Sequence, residues 1–170
     1  MALQHAADNT ADWASPEEQA RFLAEVPTYD WGFIGRITHE LAFRSDRRRV
    51  IFSRRAKGLE WRAARHLWVD PARRSLPEIL AELEAVHPAR RCVVLGGTAV
   101  HDWFIARGLI GRVELTVEPV RFGTGLPLLT GQPPGDAVPA LAARGFLVVD
   151  RRRLNAAGTQ LLTLTRQRAG

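Results

Sequence analysis

Cysteine, methionine, tyrosine and lysine each occur once in these 170 residues. A single thiol, Cys92, allows neither an intrachain disulfide nor a cysteine-rich metal site. A reducing cytoplasm is therefore the expected compartment. Long apolar runs are also missing: Arg, Asp or Gly interrupts each one well short of the roughly 20 residues a membrane-spanning helix needs, so no membrane partner is expected. The opening residues Met1-Ala2-Leu3-Gln4-His5-Ala6-Ala7-Asp8 show no basic start followed by an apolar stretch, and a secretory leader is not expected. No His, Cys and carboxylate spacing suggests a metal, and no Ser-His-Asp arrangement is legible.

With Lys57 alone, arginine carries nearly all the basic charge, and the formal net charge is +6. The arginines fall in scattered short runs, Arg47-Arg48-Arg49, Arg54-Arg55, Arg73-Arg74, Arg90-Arg91 and Arg151-Arg152-Arg153. They form no single stripe, and no zinc, helix-turn-helix or aromatic RNA-binding signature accompanies them. Specific nucleic-acid recognition is not expected. Charge alone licenses only salt-sensitive attraction.

The length suits one domain, 1–170, with 1–14 atypical and without clear period. Ser15-Pro16-Glu17-Glu18 carries a cap, a first-turn proline and a capping-box glutamate, predicting a helix to about Val26. Short apolar runs predict strands at Trp31-Gly32-Phe33-Ile34, Val50-Ile51-Phe52 and His66-Leu67-Trp68-Val69. Ser75-Leu76-Pro77-Glu78 opens another capped helix. Cys92-Val93-Val94-Leu95 is continuously apolar, as expected of a strand covered on both faces, and Thr98 begins a helix to about Arg107. Val113-Glu114-Leu115-Thr116-Val117 alternates as a half-exposed strand. Residues 122–139, rich in Gly and Pro, are predicted to be loop. Phe146-Leu147-Val148-Val149 and Leu161-Leu162-Thr163-Leu164 close the chain as a hairpin with its turn near 155–158. Strands alternate with helices and then follow one another, which predicts an α/β fold with a mixed, mostly parallel sheet and a C-terminal antiparallel hairpin.

Three strand ends could carry chemistry. At Gly96-Gly97-Thr98-Ala99, two residues without Cβ join a strand to a helix; backbone there can approach a ligand and offer N–H groups to a phosphate. The plain alternative is a tight turn with no ligand. Gly35-Arg36-Ile37-Thr38 joins a strand to a short helix with a guanidinium and a hydroxyl, groups suited to an anion; taken alone, that segment reads more readily as a capped helix with a solvated Arg. Ser53 and Arg54 stand at a third strand end. Ligands of open α/β sheets bind outside the carboxyl ends of strands, so the three together outweigh each one separately. His101 and Asp102 could reach a ribose or simply face solvent. His5, Asp8 and Asp12 of the N-terminal segment read most simply as solvated loop residues; only the family resemblance given next implies a proton donor among them.

Those residues resemble the dihydrofolate-reductase superfamily, closest to its riboflavin-biosynthesis-reductase branch. The likeness runs from Asp12-Trp13-Ala14-Ser15-Pro16 through Gly35-Arg36-Ile37-Thr38, Ser53-Arg54 and Gly96-Gly97. It continues through Gly108-Leu109-Ile110-Gly111-Arg112-Val113-Glu114-Leu115, Glu118-Pro119-Val120 and Gly123-Thr124-Gly125-Leu126-Pro127-Leu128. The resemblance implies a three-layer αβα fold and NADPH as cofactor. Gly35, Arg36 and Thr38 would then meet cofactor phosphates, Ser53 and Arg54 the 2′-phosphate, and Gly96, Gly97, Thr98 and Ala99 the pyrophosphate. It also implies a cis peptide at Gly96–Gly97, a homodimer, and an oxidoreductase that passes hydride to a C=N or C=O bond of a small pterin-, pyrimidine- or ribosyl-type substrate.

Two departures qualify that activity. Gln4-His5-Ala6-Ala7-Asp8 stands where the family has a Ser-Leu-Asp-Gly-like turn, and Leu95 stands where this branch usually has Glu. Three explanations follow: a start upstream of Met1, a different substrate, or a catalytically silent dinucleotide-binding or dimeric scaffold domain.

Overall fold

The computed structural model describes residues 13–120, 125–133, 135 and 137–167. The chain falls into two compact units, one of residues 23–100 and the other of 1–22 with 101–170. No helix among the described residues is long and apolar enough to cross a membrane.

The 23–100 unit is built on a five-stranded sheet. In chain order it contains β1 (Trp31–Gly35), α2 (Arg36–Leu41), β2 (Arg49–Phe52), β3 (Leu59–Ala63), β4 (His66–Val69), α3 (Leu76–Glu84) and β5 (Cys92–Gly96). The helix α1 (Pro16–Glu25) leads into it, and α4 (Thr98–Ala106) leads out. The strands lie in the order β3-β4-β2-β1-β5. Four of them, β4, β2, β1 and β5, run parallel, and β3 is antiparallel to β4. The expected mixed, mostly parallel sheet is what forms.

Burial explains the composition of the central strands. Every residue of β2 and β4 is buried, as are Trp31 to Ile34 of β1. Such runs need no polar alternation because both faces are covered. Phe33 and Phe52 meet edge to face with ring centroids 5.9 Å apart. Ile34, Ile51, Ala56 and Trp68 form a cluster against which Leu95 packs. β5 is less enclosed than its apolar run predicts: Cys92 is exposed and Val93 to Leu95 are half-buried. An apolar run does not distinguish a central strand from an outer one, and among the described residues β5 pairs only with β1.

β3 has no counterpart in the sequence-based expectation. It is a half-exposed strand joined to β4 by Ala64 and Arg65, a turn without the Gly or Asn that announces most hairpins. Its Trp61 packs on Trp31, 5.9 Å between ring centroids, and donates its indole N–H to Glu82 of α3 at 2.6 Å. The α3 capping box forms in full: the Ser75 hydroxyl accepts from Glu78 N, and Glu78 accepts from Ser75 N.

The second unit contains β6 (Arg112–Val117), α5 (Ala137–Ala142), β7 (Phe146–Arg153) and β8 (Gln160–Arg166), the strands pairing antiparallel as β6-β8-β7. The predicted C-terminal hairpin is β7-β8; Asn155 Oδ1 closes its turn by accepting from Gly158 N and Thr159 N, both at 3.1 Å. The core gathers Ile105, Leu115, Leu129, Leu141, Phe146, Leu162 and Leu164. Part of the predicted loop is helical: α5 begins at Ala137 and contains Pro139. A first-turn proline lacks only an N–H that has no partner inside the helix. At the start of α1, Ser15 Oγ accepts from Glu18 N at 3.4 Å, but Ser15 N donates to Glu118 at 2.8 Å. Glu18 instead pairs with Arg21, so the box is half formed.

α2 is seated by a buried polar cluster. His39, 4% exposed, places Nδ1 3.2 Å from Arg49 Nη1. A guanidinium only donates, so this nitrogen accepts and His39 is neutral. His66 lies beside it, ring centroids 4.8 Å apart, and its Nε2 donates to the Arg44 carbonyl at 3.1 Å. Burial, then the charges of His66 and Arg49, pushes the His39 pKa from 6.5 down to about 4. The unfolded chain therefore takes up the proton first as pH falls. Stability should be level above pH 6.5 and decline through the interval down to about 4, by about 3 kcal/mol. Urea titrations across that range check this, and His39→Gln should flatten the decline. Ser75→Ala should cost about 1 kcal/mol in the same titrations at pH 7, the usual loss for a helix cap.

Candidate functional site

The chain order β1, β2, β4 steps outward on one side of β1, and the connection through α3 then returns the chain to the other side as β5. The sheet order therefore reverses at β1. In open α/β sheets, the crevice at the carboxyl ends of such strands is where ligands bind. Parallel pairing brings the expected segments to that edge: Gly35 lies opposite Phe52 in the β1-β2 register, and Ile34 opposite Gly96 in the β1-β5 register.

At the reversal point the backbone is bare. A Cβ on Gly35 would lie 3.7 Å from Gly97 N, 3.8 Å from Gly96 O and 3.5 Å from Val100 Cγ2. A side chain on Gly35 would thus start in ordinary contact with the diglycine backbone, so the two tips are neighbours with a bare gap between them. Gly96 has φ +97°, a conformation that side chains disfavour, and the Gly96–Gly97 peptide is cis, as the resemblance implies. α4 starts at once: Thr98 and Ala99 form its first turn, and Val100 N donates to Gly97 O at 2.9 Å. Its opening N–H groups lie next to the glycines, where an anion can be met by backbone alone.

The side chains divide into occupied and free groups. Arg36, the first residue of α2, has its guanidinium 2.6 Å from Glu40, one turn on. An anion there would have to share or displace that carboxylate. Thr38 is half-buried on the same helix. Ser53 is buried, and its hydroxyl accepts from Arg55 N at 3.2 Å, closing the turn that follows β2. Its position thus shapes the loop that carries Arg54. Arg54 and Arg55 are exposed, and neither guanidinium makes a hydrogen bond or ion pair among the described residues.

Sequence reasoning missed the β4 tip. Ser53 N donates to Val69 O at 2.9 Å, which ties that tip to the same edge. The next residue, Asp70, is 5% exposed, accepts from Ala72 N at 3.0 Å and pairs with Arg73 at 3.3 Å. Arg74 reaches toward Gly58, where a Cβ would lie 3.5 Å from its Nη2. Arg55, Arg73 and Arg74 thus extend the basic rim. The available signal was an Arg pair soon after each of two strand ends.

Leu95 packs into the apolar cluster beneath the sheet, so the position before the diglycine contributes surface and no carboxylate. His101 and Asp102 are half-buried on α4. His101 Nδ1 donates to the Leu128 carbonyl at 3.2 Å, and Asp102 accepts from Thr130 N at 3.2 Å, so α4 holds the 128–130 segment. Burial lowers the His101 pKa, consistent with a neutral ring there. His5, Asp8 and Asp12 lie outside the described residues, as do Gly123 and Thr124.

A family model described as "RibD C-terminal domain" matches residues 9–153. No curated protein matches the chain. Among solved structures, one of a protein assigned to riboflavin biosynthesis from Shewanella sp. PV-4 superposes with a TM-score of 0.61 at 18% identity, covering 98% of this chain and 85% of that one. Acinetobacter baumannii RibD superposes with a TM-score of 0.67 at 14% identity, covering 98% of this chain. The chain spans 54% of the length of that protein. At these identities the superpositions establish the α/β fold of the RibD reductase domain. The family match extends over most of the chain, from before α1 into β7. On that match, the chain belongs to the family of RibD C-terminal, dihydrofolate-reductase-like reductase domains.

Proposed function

We propose that this domain is an NADPH-dependent reductase transferring hydride to a C=N or C=O bond of a small heterocyclic substrate of pterin, pyrimidine or ribosyl type. The observation that carries this reading is that the Gly35 and Gly96–Gly97 tips lie side by side without side chains at the point where the sheet order reverses. A dinucleotide fits the residues present. Glycine backbone admits a pyrophosphate closely, the first turn of α4 offers N–H groups, and Arg54 and Arg55 carry guanidiniums with no partner among the described residues.

In this reading Gly96, Gly97, Thr98 and Ala99 hold the pyrophosphate, and Gly35, Arg36 and Thr38 meet the phosphates from the β1 side. Arg54 reads the 2′-phosphate, with Ser53 shaping its loop and Arg55 adjoining. NADPH, when bound, supplies the hydride. The chain binds and orients the two reactants and excludes water from them. Leu95 favours a second reading, a domain that holds the dinucleotide without turnover, since the residue before the diglycine offers no proton.

Equilibrium titration with both cofactors tests the site. Arg54→Gln should weaken NADPH roughly 10- to 100-fold, as expected for one charge-assisted contact, while NADH changes little. Equal losses for both would remove Arg54 from the 2′-phosphate. Arg36→Gln should weaken both cofactors alike. Following NADPH oxidation with dihydrofolate, the deaminated riboflavin precursor and simple carbonyls separates the two readings. Tight binding without oxidation identifies the silent module, and no binding of either cofactor overturns both.

A further inference from the structure

α2 is held by a polar residue where an aliphatic one would be expected. Its six residues are too few to keep a helix by internal hydrogen bonds alone, so packing has to hold it. A surface helix ordinarily turns its aliphatic side chains toward the core. Here Ile37 and Leu41 are 63% and 56% exposed, and the one buried residue of α2 is His39.

Three rings orient that imidazole. Phe43, His66 and Trp68 meet it nearly edge to face, with centroids 5.5, 4.8 and 5.7 Å away. Nδ1 is thereby left facing Arg49 Nη1 at 3.2 Å. Arg49 is the first residue of β2, at the end where the chain enters the sheet. The same Nη1 donates to the carbonyl of Ala42 at 2.7 Å, just past the end of α2, where a carbonyl has no partner inside the helix. A guanidinium Nη1 carries two protons, and these two acceptors take both. One side chain of β2 therefore grips α2 at its buried ring and at its closing carbonyl.

What the grip controls lies one turn away. Arg36 precedes His39 by three residues, the spacing that sets two side chains on one helix face, and Thr38 adjoins it. Strand pairing fixes the backbone only as far as Gly35. Beyond Gly35, the directions of the Arg36 guanidinium and the Thr38 hydroxyl follow the rotation of α2 about its own axis. The Arg36–Glu40 ion pair lies wholly within α2 and turns with it, so it cannot set that rotation. The bond from His39 to Arg49 ties the helix to the sheet and can.

We propose that His39 is a positioning residue for the strand-tip site, holding α2 through Arg49 so that Arg36 and Thr38 face a bound phosphate. The inference rests on the dinucleotide reading of that site. His39 acts as a hydrogen-bond acceptor and touches no ligand. A phenylalanine would occupy the same ring-lined space yet leave one buried N–H of Arg49 unpaired, whereas an asparagine oxygen can stand where Nδ1 stands.

The full chain is titrated with NADPH and with NADH, at a temperature where circular dichroism shows each variant folded. His39→Phe should weaken both cofactors by the same factor, about 10-fold, and leave their ratio unchanged. That is the pattern of Arg36→Gln and not of Arg54→Gln. His39→Asn should recover most of the loss. Arg49→Lys removes the planar fork from the other side of the bond; it should reproduce the His39→Phe pattern, and it serves where His39→Phe does not fold. The double variant Arg36→Gln with His39→Phe should bind no more weakly than the weaker single variant, whereas independent roles would multiply to about 100-fold. The positioning role fails if His39→Phe and Arg49→Lys bind as tightly as the wild type, if His39→Asn is as weak as His39→Phe, or if the two losses multiply. A wild-type chain that binds neither cofactor overturns the dinucleotide reading and this role with it. Normal binding by both the wild type and His39→Phe overturns this role alone.

Discussion

The site depends on parallel pairing of β1 with β2 on one side and β5 on the other. Parallel strands end at a common edge, so whatever follows each strand is delivered to the same line. The register adds what direction alone would not: it sets Gly35 opposite Phe52 on one side and its neighbour Ile34 opposite Gly96 on the other. Two of the three tips lack Cβ, and a Cβ added at Gly35 would already touch the diglycine backbone. A bulky residue at this junction would separate β1 from the start of α4 and remove the surface on which a phosphate could rest.

Behind that edge, the fold supplies stiffness in two ways. Full burial of β2 and β4 and of most of β1 fixes the strands laterally, and the His39–Arg49–His66 cluster fixes α2 on top of them. The second is the more fragile. A histidine that must accept from a guanidinium has only one protonation state compatible with the packing. The helix bearing Arg36 and Thr38 is thus tied to a neutral imidazole, whereas the diglycine is tied only to backbone.

The arginines divide by environment. Those at the strand tips, Arg54, Arg55 and Arg73, are exposed, so each keeps its hydration until a ligand replaces it. Those at the entry ends, Arg47 and Arg49, are drawn into the interior and have already given up part of that hydration. Both groups come from the same compositional habit. Only position in the sheet separates a solvated charge from an unsatisfied one.

Much of this was legible in the chain. Short apolar runs located every strand but β3 and β6; alternation marked β6, and the runs marked the buried β2 and β4 and equally β7, which is exposed beyond Phe146. The Ser-x-x-Glu patterns marked two helix starts, and Gly35, Ser53-Arg54 and Gly96-Gly97 marked three places where backbone or cation could meet a phosphate. The sequence by itself determined those local facts, which depend on residues within a turn of one another. Tertiary structure alone decided the rest. β3 exists because β4 offers it a pairing edge and Glu82 receives its Trp61. Glu18 lost half of its capping role because Glu118, 103 residues from Ser15, reaches the cap first. The pairing of Ile34 with Gly96, and the burial of Arg49 beside His39, likewise join segments that are not neighbours in the chain. Local patterns carry no record of which distant partner will arrive, so register, and with it the site, emerges only when the sheet closes.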